Sequence, residues 1–360
     1  MKIDDDNPLW VIVLAGGRGT RFWPVSRRAV PKQCVSVDGD GPTMIQSTVA
    51  RLSPLVPPER VLVITGPEME ATIRSQLSMI PAENILVEPS PRNTAPCIGW
   101  GTVEVGRRAG GRAVVAVLPS DHHIGRPAAL RQVLQDATSA ALSTNALITL
   151  GIEPSRPDTG FGYLELGATM GTWGETRFQM VESFTEKPEH ATAAKWLSAG
   201  THLWNAGMFV FTVDAMRDAF RGALPDTAVA LEQLQLDPRS LHKVWPEMEA
   251  TSIDYGVMER SRHLLTAPCK LDWSDLGSWA TAGELLPEVE GGRGLARAVL
   301  SVDSDGCVVR APGKAVALVG VKDLVIVDTD DALLVMHRDR AQDIRGILAR
   351  LDASGAEDLT

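Results

Sequence analysis

Long apolar runs are missing from this sequence. No stretch of its 360 residues is long enough and apolar enough to cross a lipid bilayer. Its N-terminal residues, MKIDDDNPLW, are acidic and polar, so we expect no signal peptide. We therefore expect a cytoplasmic protein without a membrane partner, whose hydrophobic content of 44% is enough for one large domain and a smaller one.

Paired cysteines and excess positive charge are missing as well. The four cysteines, Cys34, Cys97, Cys269 and Cys307, are scattered and form no C-x-x-C motif, which predicts free thiols in a reducing compartment. The formal net charge is -10, with 35 Lys and Arg against 45 Asp and Glu. A chain this acidic is not expected to bind nucleic acids.

Several catalytic signatures are absent too. The chain has no G-x-S-x-G nucleophile elbow, no H-E-x-x-H zinc motif and no Walker A loop. The dinucleotide fingerprint G-x-G-x-x-G, counted from Gly17, fails at its last position, where Phe22 stands in place of glycine. Nothing in the sequence therefore predicts a covalent catalytic intermediate.

The most informative segment that is present lies near the N-terminus. An apolar run at residues 10–14 predicts a buried strand, and Gly16, Gly17 and Gly19 follow it. No acidic residue occurs over 20–37, whereas the cations of this region are Arg18, Arg21, Arg27, Arg28 and Lys32. A glycine loop in a basic, acid-free segment suits the phosphates of a nucleotide, and a plain glycine turn with solvated arginines is the alternative.

The first half of the chain alternates strand-like and helix-like segments. The predicted strands lie at 10–14, 61–65, 113–118 and 146–151. The predicted helices between them lie at 44–52, 68–77, 94–108 and 130–143. This order indicates βαβ units and a parallel sheet, whose ligands collect at the carboxyl ends of the strands. Since Gly16 and Asp121 both follow strand ends, we expect them to share one crevice.

The remainder of the chain is less regular. Its middle part, 152–285, holds six of the nine tryptophans, strand-like runs at 178–184 and 208–212 and a helical run at 191–197. A glycine-rich segment at 288–294 is predicted as a linker. Short apolar runs follow, and they predict an all-β module made of either a few β-helix turns or a hairpin stack. These runs lie at 307–309, 315–319, 324–327 and 333–336, and a terminal helix is predicted at 342–351.

Two carboxylates far apart in sequence are candidates for a magnesium site. Asp121 lies in LPSDHHI after the strand at 113–118, and Asp275 lies in LDWSDLGSW between two tryptophans. A pair of carboxylates that faces a phosphate loop across a crevice suits Mg²⁺. The alternative for each is a turn or helix-capping aspartate.

Three further segments offer groups for a sugar phosphate. In FTEKP, Lys187 offers a positive charge for the phosphate and Glu186 an acceptor for hydroxyl groups. In WNAGM, Asn205 offers both a donor and an acceptor, and in SIDYG, Asp254 offers another carboxylate. A surface ion pair is the alternative for Glu186 and Lys187, and a helix cap is the alternative for Asp254.

The segment VEPSPRNTAPC, residues 87–97, predicts a base site. Glu88 follows an apolar run, and its carboxylate suits guanine, which presents two adjacent N–H donors. Arg92, Asn93 and Thr94 precede a helical run, so Asn93 or Thr94 is also predicted as the N-cap.

Taken in order, these segments resemble the mannose-1-phosphate guanylyltransferases, also called GDP-mannose pyrophosphorylases, over nearly the whole chain. The matching pieces are LAGGRGTRFWPVSRRAVPKQ, VEPSPRNTAPC, LPSDHHI, FTEKP, WNAGMFVF, SIDYGVME and WSDLGSW. The resemblance implies a Rossmann-like α/β nucleotidyltransferase domain with a mixed, mostly parallel sheet, which we assign to residues 1–287. It also implies a C-terminal module like a left-handed β-helix, assigned to 295–360, that often mediates homodimer formation. Because the chain ends at Thr360, we expect it to lack the isomerase domain of the long family members.

The resemblance also implies a reaction and a set of site residues. The reaction is transfer of GMP from GTP to α-D-mannose 1-phosphate, with Mg²⁺ as cofactor and pyrophosphate as the second product. The implied nucleotide-binding residues are Leu14, Ala15, Gly16, Gly17, Gly19, Thr20, Glu88, Asn93 and Thr94. The implied catalytic residues are Arg21, Lys32 and Lys187, and the implied Mg²⁺ ligands are Asp121 and Asp275. The implied mannose-binding residues are Gly162, Glu186, Asn205 and Asp254.

The sequence departs from the family pattern at three positions. Phe22 stands where the family usually has Leu, Thr185 where Val is common and Ala206 where Ser is common. The hydroxyl group missing at Ala206 leaves sugar specificity open, so another hexose 1-phosphate or another nucleotide is an alternative. A catalytically silent nucleotide-sugar sensor and a dinucleotide-dependent oxidoreductase are the remaining alternatives.

Overall fold

The computed structural model of this protein describes residues 9–17, 19–39 and 41–360. Arg18, one of the cations predicted for phosphate binding, lies outside the described residues, as does the segment 1–8. Within the described ranges, no helix is both long and apolar enough to span a membrane.

The strands of the described chain form three sheets. They are β1 Leu9–Ala15, β2 Val61–Thr65, β3 Ile85–Val87, β4 Val114–Pro119, β5 His123–Ile124, β6 Leu147–Ile152, β7 Gly162–Trp173, β8 Thr176–Glu186, β9 His202–Thr212, β10 Leu264–Cys269, β11 Trp273–Ser274, β12 Glu288–Val289, β13 Gly292–Val302, β14 Cys307–Val319, β15 Leu324–Asp328 and β16 Leu333–His337. The main sheet has nine strands in the order β3-β2-β1-β4-β9-β6-β10-β8-β7, β5 pairs with β11, and β12 to β16 form the third sheet in sequence order.

Helices cover the main sheet, and a further helix lies near the C-terminus. They are α1 Met44–Ala50, α2 Glu70–Gln76, α3 Thr94–Ala109, α4 Pro127–Thr144, α5 His190–Ala199, α6 Val213–Ala223, α7 Pro225–Leu236, α8 Leu241–Val244, α9 Trp279–Gly283 and α10 Ile344–Ser354. Short turns carry several site residues: the 3-10 helices Thr20–Phe22 and Lys32–Cys34, and the π-helix Asp254–Met258.

The sheet at 9–269 confirms the predicted α/β fold. Strand β1 lies between β2 and β4 and is parallel to both, as the βαβ pattern predicts. In the sheet as a whole, β8 and β9 run against the direction shared by the other seven strands, so it is mixed and mostly parallel. Successive residues of β1 point to opposite faces, so Val11 and Val13 join one hydrophobic core and Ile12 joins the other.

The C-terminal module confirms one of the two predicted architectures. Strand β13 is parallel to β14, and β14 is parallel to β15, as in the coils of a β-helix, while β16 returns antiparallel to β15. The runs predicted at 307–309 and 315–319 are one continuous strand, β14, which passes through Pro312 and Gly313. The left-handed sense of the coil stays a prediction.

The segment predicted as a linker is instead a β-hairpin. Residues 288–294 contain β12 and the start of β13, which pair antiparallel from Glu288 to Arg293 and from Val289 to Gly292. Gly292 has φ 154°, and a Cβ built there would lie 1.9 Å from the carbonyl oxygen of Cys307. Gly292, one of the glycines that indicated a linker, therefore allows β13 and β14 to approach closely.

Candidate active site

A cavity of about 540 Å³ lies at the carboxyl ends of β1, β3 and β4. This is where a parallel sheet is expected to bind its ligand. Most of the predicted site residues line it, namely Leu14, Ala15, Gly16, Gly17, Glu88, Asn93, Thr94, Asp121, Gly162, Glu186, Asn205, Asp254 and Asp275. Gly16 and Asp121 share one crevice, as predicted from their positions after strand ends.

Lys32 lies at the edge of this cavity with its ammonium group fixed from two sides. Its Nζ donates to Asp121 Oδ2 at 2.8 Å and to the carbonyl oxygen of Asp275 at 3.0 Å. Lys32 is 6% exposed, and a buried cation requires acceptors of this kind. An ammonium group has three N–H donors, and these two contacts use two of them.

The glycine before the first 3-10 turn makes room for Lys32. Gly19 has φ 62°, and a Cβ built on it would lie 2.0 Å from Cβ of Lys32. The tight loop therefore requires a residue without a side chain at this position.

The two carboxylates predicted as magnesium ligands both face the cavity. Burial raises the pKa of Asp121, but the positive charge of the Lys32 ammonium group and its hydrogen bond outweigh it and hold that pKa below its usual value. Asp275 Oδ1 accepts from the backbone N–H of Gly277 at 3.1 Å. The described residues include no cluster of three or more His, Cys, Asp or Glu that could hold a metal ion. Two carboxylates beside the predicted phosphate loop nevertheless fit Mg²⁺, which is usually bound by one or two carboxylates together with substrate phosphates.

One end of the cavity holds a buried acid, Glu88. Glu88 is 5% exposed, and burial raises the pKa of its carboxyl group. Cys97 Sγ lies 3.1 Å from Glu88 Oε2 and donates to it, which partly offsets the cost of burial. A Cβ built on Gly16 would lie 3.5 Å from Glu88 Oε1, which is ordinary van der Waals contact, so the glycine loop lies directly beside this acid.

Asn93 and Thr94 hold the start of α3 beside this acid. The side-chain oxygen of Asn93 accepts from the backbone N–H of Thr94 at 2.9 Å, which confirms the predicted cap. Thr94 Oγ1 in turn accepts from the backbone N–H of Ile253 at 2.9 Å. The predicted base end of the cavity is thereby connected to the segment that carries Asp254.

The opposite end of the cavity is a connected polar network. Thr149 Oγ1 donates to Asn205 Oδ1 at 2.8 Å, and Asn205 Nδ2 donates to Asp254 Oδ1 at 2.8 Å. Burial, and next the negative charge of Glu186, raise the pKa of Asp254 to about 6. These hydrogen bonds fix which way the Asn205 amide points.

Glu186 and Lys187 lie side by side next to this network. Their closest side-chain atoms, Lys187 Nζ and Glu186 Oε1, are 3.3 Å apart, and the Lys187 side chain is 59% exposed. A Cβ built on Gly162 would lie 2.4 Å from Glu186 Oε2, so glycine at residue 162 leaves room for this acid.

Aromatic side chains, of which Phe161 and Trp273 line the cavity, form a wall that the sequence analysis did not assign to the site. Phe161 packs edge-on against Trp204 and Trp273, with ring centroids 5.0 and 5.2 Å away. Trp273 Nε1 donates to His122 Nδ1 at 3.1 Å, which orients the histidine next to Asp121. The concentration of tryptophans at 152–285 was the sequence signal for this wall.

Five predicted site residues do not line the cavity: Gly19, Thr20, Arg21, Lys32 and Lys187. Lys32 reaches its edge through Asp121 and Asp275, as described above. Arg21 lies half-buried in the 3-10 turn Thr20–Phe22. Its role as a phosphate ligand stays a prediction.

Two cations of the basic segment form ion pairs and do not line the cavity. The guanidinium of Arg27 is 2.9 Å from Asp331 Oδ1, and that of Arg28 is 2.6 Å from Asp352 Oδ1. Both acids belong to the C-terminal module. The absence of acids over 20–37 therefore does not leave these two arginines unpaired, because their partners come from the other end of the chain.

Comparison with known proteins identifies the class. The nucleotidyl transferase family matches residues 10–290, and the family described as MannoseP isomerase/GMP-like beta-helix domain matches 297–351. AlgA, the alginate biosynthesis protein of Pseudomonas aeruginosa, is 34% identical over 96% of this chain and 72% of its own length. A mannose-1-phosphate guanylyltransferase of Klebsiella pneumoniae is 35% identical over 93% of this chain and 72% of its own length.

A solved structure agrees with these relatives. The crystal structure described as mannose-1-phosphate geranyltransferase from Thermus thermophilus is 34% identical, with a TM-score of 0.86 over 96% of this chain and 99% of that one. The chain belongs to the nucleotidyl transferase family, and mannose-1-phosphate guanylyltransferases are among the relatives that it matches over most of its length. This assignment leaves no ground for the oxidoreductase alternative.

The packing of Gly19 against Lys32 gives a first prediction. We expect Gly19→Ala to lower the free energy of unfolding by about 1–3 kcal/mol, because it combines a left-handed backbone with a direct clash. Gly17→Ala is the matched control, since a Cβ built there meets nothing within 4 Å. Urea unfolding of both variants checks this, and equal stability would show that the loop relaxes freely.

Proposed function

We propose that this nucleotidyltransferase transfers GMP from GTP to α-D-mannose 1-phosphate, giving GDP-mannose and pyrophosphate. The observation that carries the proposal is that Gly16, Glu88, Asn205 and Asp275 line one cavity, with Lys32 bonded at its edge. Relatives named mannose-1-phosphate guanylyltransferase support this choice of substrates.

At the nucleotide end, Glu88 reads guanine. Its carboxylate accepts from the two adjacent N–H donors of that base, which adenine, cytosine and uracil do not present together. The Cys97 thiol donates to Glu88 Oε2 at 3.1 Å, so the carboxylate is oriented before the base binds. The backbone of Gly16 and Gly17 approaches the phosphates, with Asn93 and Thr94 beside the base.

At the sugar end, Asn205, Asp254 and Glu186 bind the hydroxyl groups of mannose. The Asn205 amide is already oriented by Thr149 and Asp254, so little conformational entropy is lost when the sugar binds. Lys187, exposed at the rim, binds the phosphate of the sugar.

The reaction itself needs no protein nucleophile. An oxygen of the sugar phosphate attacks the α-phosphorus of GTP in line, the new phosphorus–oxygen bond forms, and the bond to the β-phosphate breaks to release pyrophosphate. Because the attacking oxygen is already anionic, catalysis rests on alignment and on neutralising charge at the α-phosphorus. Lys32 supplies that charge from a position fixed by Asp121 and Asp275.

Asp121 and Asp275 are the residues that would hold Mg²⁺. The lowered pKa of Asp121 keeps its carboxylate ionised and able to bind a cation. When bound, the ion neutralises phosphate charge.

We propose that the C-terminal module binds a second copy of this chain, so that the protein is a homodimer. We also propose that the protein is cytoplasmic. The module exposes large apolar side chains at Leu300, Val302, Val319, Leu333 and Val335. The four cysteines are free, which suits a reducing compartment.

A substrate panel tests the proposed reaction. Pyrophosphate release is measured with GTP, ATP, UTP or dTTP, each paired with mannose 1-phosphate or glucose 1-phosphate, in the presence of Mg²⁺. We expect release with GTP and mannose 1-phosphate above all other pairs. Release with a different pair would keep the chemistry and overturn the substrates, whereas binding of GTP without release from any pair would favour the sensor.

The position of Lys32 gives a kinetic prediction. We expect Lys32→Ala to lower kcat about 100-fold or more, with a much smaller change in KM, because the charge acts mainly in the transition state. The control is Lys195→Ala, which removes an exposed lysine of α5 far along the chain. Turnover near the wild-type rate in Lys32→Ala would remove this residue from the mechanism.

The raised pKa of Asp254 gives a pH prediction. Since the pKa lies at about 6, the carboxylate acceptor is present above that pH and is lost as the pH falls through it. We expect KM for mannose 1-phosphate to rise about 3- to 10-fold below this pH.

Asp254→Asn is the control for that measurement. Ionisation of the substrate phosphate affects both proteins alike, so their difference isolates Asp254. The variant should have a raised KM at neutral pH and a flatter profile below it. Identical profiles for the two proteins would show that Asp254 does not bind the sugar in its ionised form.

A further inference from the structure

The segment between the glycine loop and Lys32 is attached to the C-terminal module at several points. Besides the ion pairs of Arg27 and Arg28, the indole Nε1 of Trp23 donates to the carbonyl oxygen of Leu359 at 2.7 Å. The backbone N–H of Arg28 donates to the carbonyl oxygen of Thr360 at 2.9 Å. These contacts join residues more than 300 positions apart in sequence.

Two fully buried aromatic rings connect this segment to Lys32. Phe22 and Trp279 are each 0% exposed, and their ring centroids are 4.7 Å apart. Lys32 Nζ lies 5.1 Å from the centroid of the Phe22 ring, within the range of a cation–π contact. Trp279 Nε1 donates to the carbonyl oxygen of Trp23 at 3.1 Å, which fixes the two segments together.

The module packs directly against Trp279 and the helix that it begins. Val308 of β14 lies so close to α9 that a Cβ built on Gly283 would be 2.4 Å from Val308 Cγ2. The guanidinium carbon of Arg310, also on β14, lies 5.6 Å from the centroid of the Trp279 ring. Phe22, Trp279 and Val308 belong to one hydrophobic core that both parts of the chain build.

From these contacts we infer that the C-terminal β module is a positioning element for Lys32, acting through Trp279 and Phe22. Trp279 lies beside two of the three groups that contact Lys32 Nζ, the Phe22 ring and the segment of Asp275, whereas Asp121 is the third. It supports Phe22 on one side, and it follows closely after Asp275, whose carbonyl oxygen accepts from Lys32 Nζ. Phe22, Trp279 and Val308 do not line the cavity, so the module affects the position of the catalytic charge and not substrate contacts.

This inference concerns the position of a catalytic group and not the identity of the substrates. It rests on the proposed function only through the catalytic role of Lys32. A misplacement of a catalytic group by about 1 Å can cost about 100-fold in rate without any change in what contacts the substrate. The expected signature of lost positioning is therefore a lower kcat at nearly constant KM.

Two neighbouring valines provide a matched test. Val308 is 5% exposed and belongs to the core shared with Trp279, whereas Val309 is 0% exposed and belongs to the separate core inside the module. They point to opposite faces of β14 because side chains alternate along a strand. Val308→Ala and Val309→Ala thus remove the same two methyl groups from opposite sides of one strand.

The measurement is kcat and KM for both substrates, taken well below the unfolding temperature of each variant. We expect both variants to have a lower Tm and only Val308→Ala to lose turnover, by about 10-fold, with each KM within about twofold of wild type. Equal kcat values for the two variants would overturn the inference, whether both fall or neither does, because the module would then act through stability alone or not at all.

A second pair covers the case in which Val308→Ala does not fold. Arg310→Gln removes the cation beside Trp279, and Arg297→Gln removes an exposed arginine of β13 as its control. We expect a lower kcat at constant KM in Arg310→Gln alone. Unchanged kinetics in Arg310→Gln would argue against the route through Trp279.

Lys32→Ala separates failure of this inference from failure of the proposed function. If Lys32→Ala retains wild-type turnover, the catalytic role of Lys32 is wrong. If Lys32→Ala is inactive while Val308→Ala and Val309→Ala behave alike, the catalytic role holds and positioning by the module is wrong.

Discussion

The buried ammonium group of Lys32 is the interaction on which the geometry of this site depends. Its bonds to Asp121 Oδ2 and to the carbonyl oxygen of Asp275 join it to residues 89 and 243 positions further along the chain. A buried cation cannot remain without acceptors, so the loop after β4 and the loop before α9 are held against the segment after Gly19. The glycine conformation at residue 19 makes this approach possible, since any side chain there would occupy the place of the lysine.

The acids around the cavity differ in charge state because their surroundings differ. Lys32 holds the pKa of Asp121 low, so this group stays anionic beside the predicted phosphate loop. Burial raises the pKa of Glu88, where a thiol donates to it, and burial with Glu186 nearby raises that of Asp254. The part of the cavity beside Lys32 is therefore suited to charge neutralisation, whereas Glu88 and Asp254 are suited to hydrogen bonding with neutral groups of a base or a sugar.

The C-terminal module shares a hydrophobic core with the catalytic part of the chain. Its acids pair with Arg27 and Arg28, and its strands pack on the helix that begins at Trp279. Phe22, one of the positions where the sequence departs from the family pattern, is the ring that contacts both Trp279 and Lys32. An aromatic side chain suits this place because one face can receive a cation while the rest of the ring is buried. The module thus contributes to the site without lining it.

The sequence by itself determined the alternation of strands and helices at 10–151 apart from the short strands β3 and β5, the family, and about half of the residues that line the cavity. It could do so because strand and helix periodicity, glycine turns and residues at strand ends are local signals. Tertiary structure decided which charges face the cavity. The sequence alone indicates that Arg27 and Arg28 bind phosphate, but in the structure they pair with Asp331 and Asp352 from the C-terminal module. The glycines at 288–294 likewise indicate a linker, but this segment contains β12 and the start of β13, which pair with each other. A local sequence pattern shows what a side chain can bind. Folding determines its actual partner, because a contact between two distant segments does not affect the residue spacing within either segment.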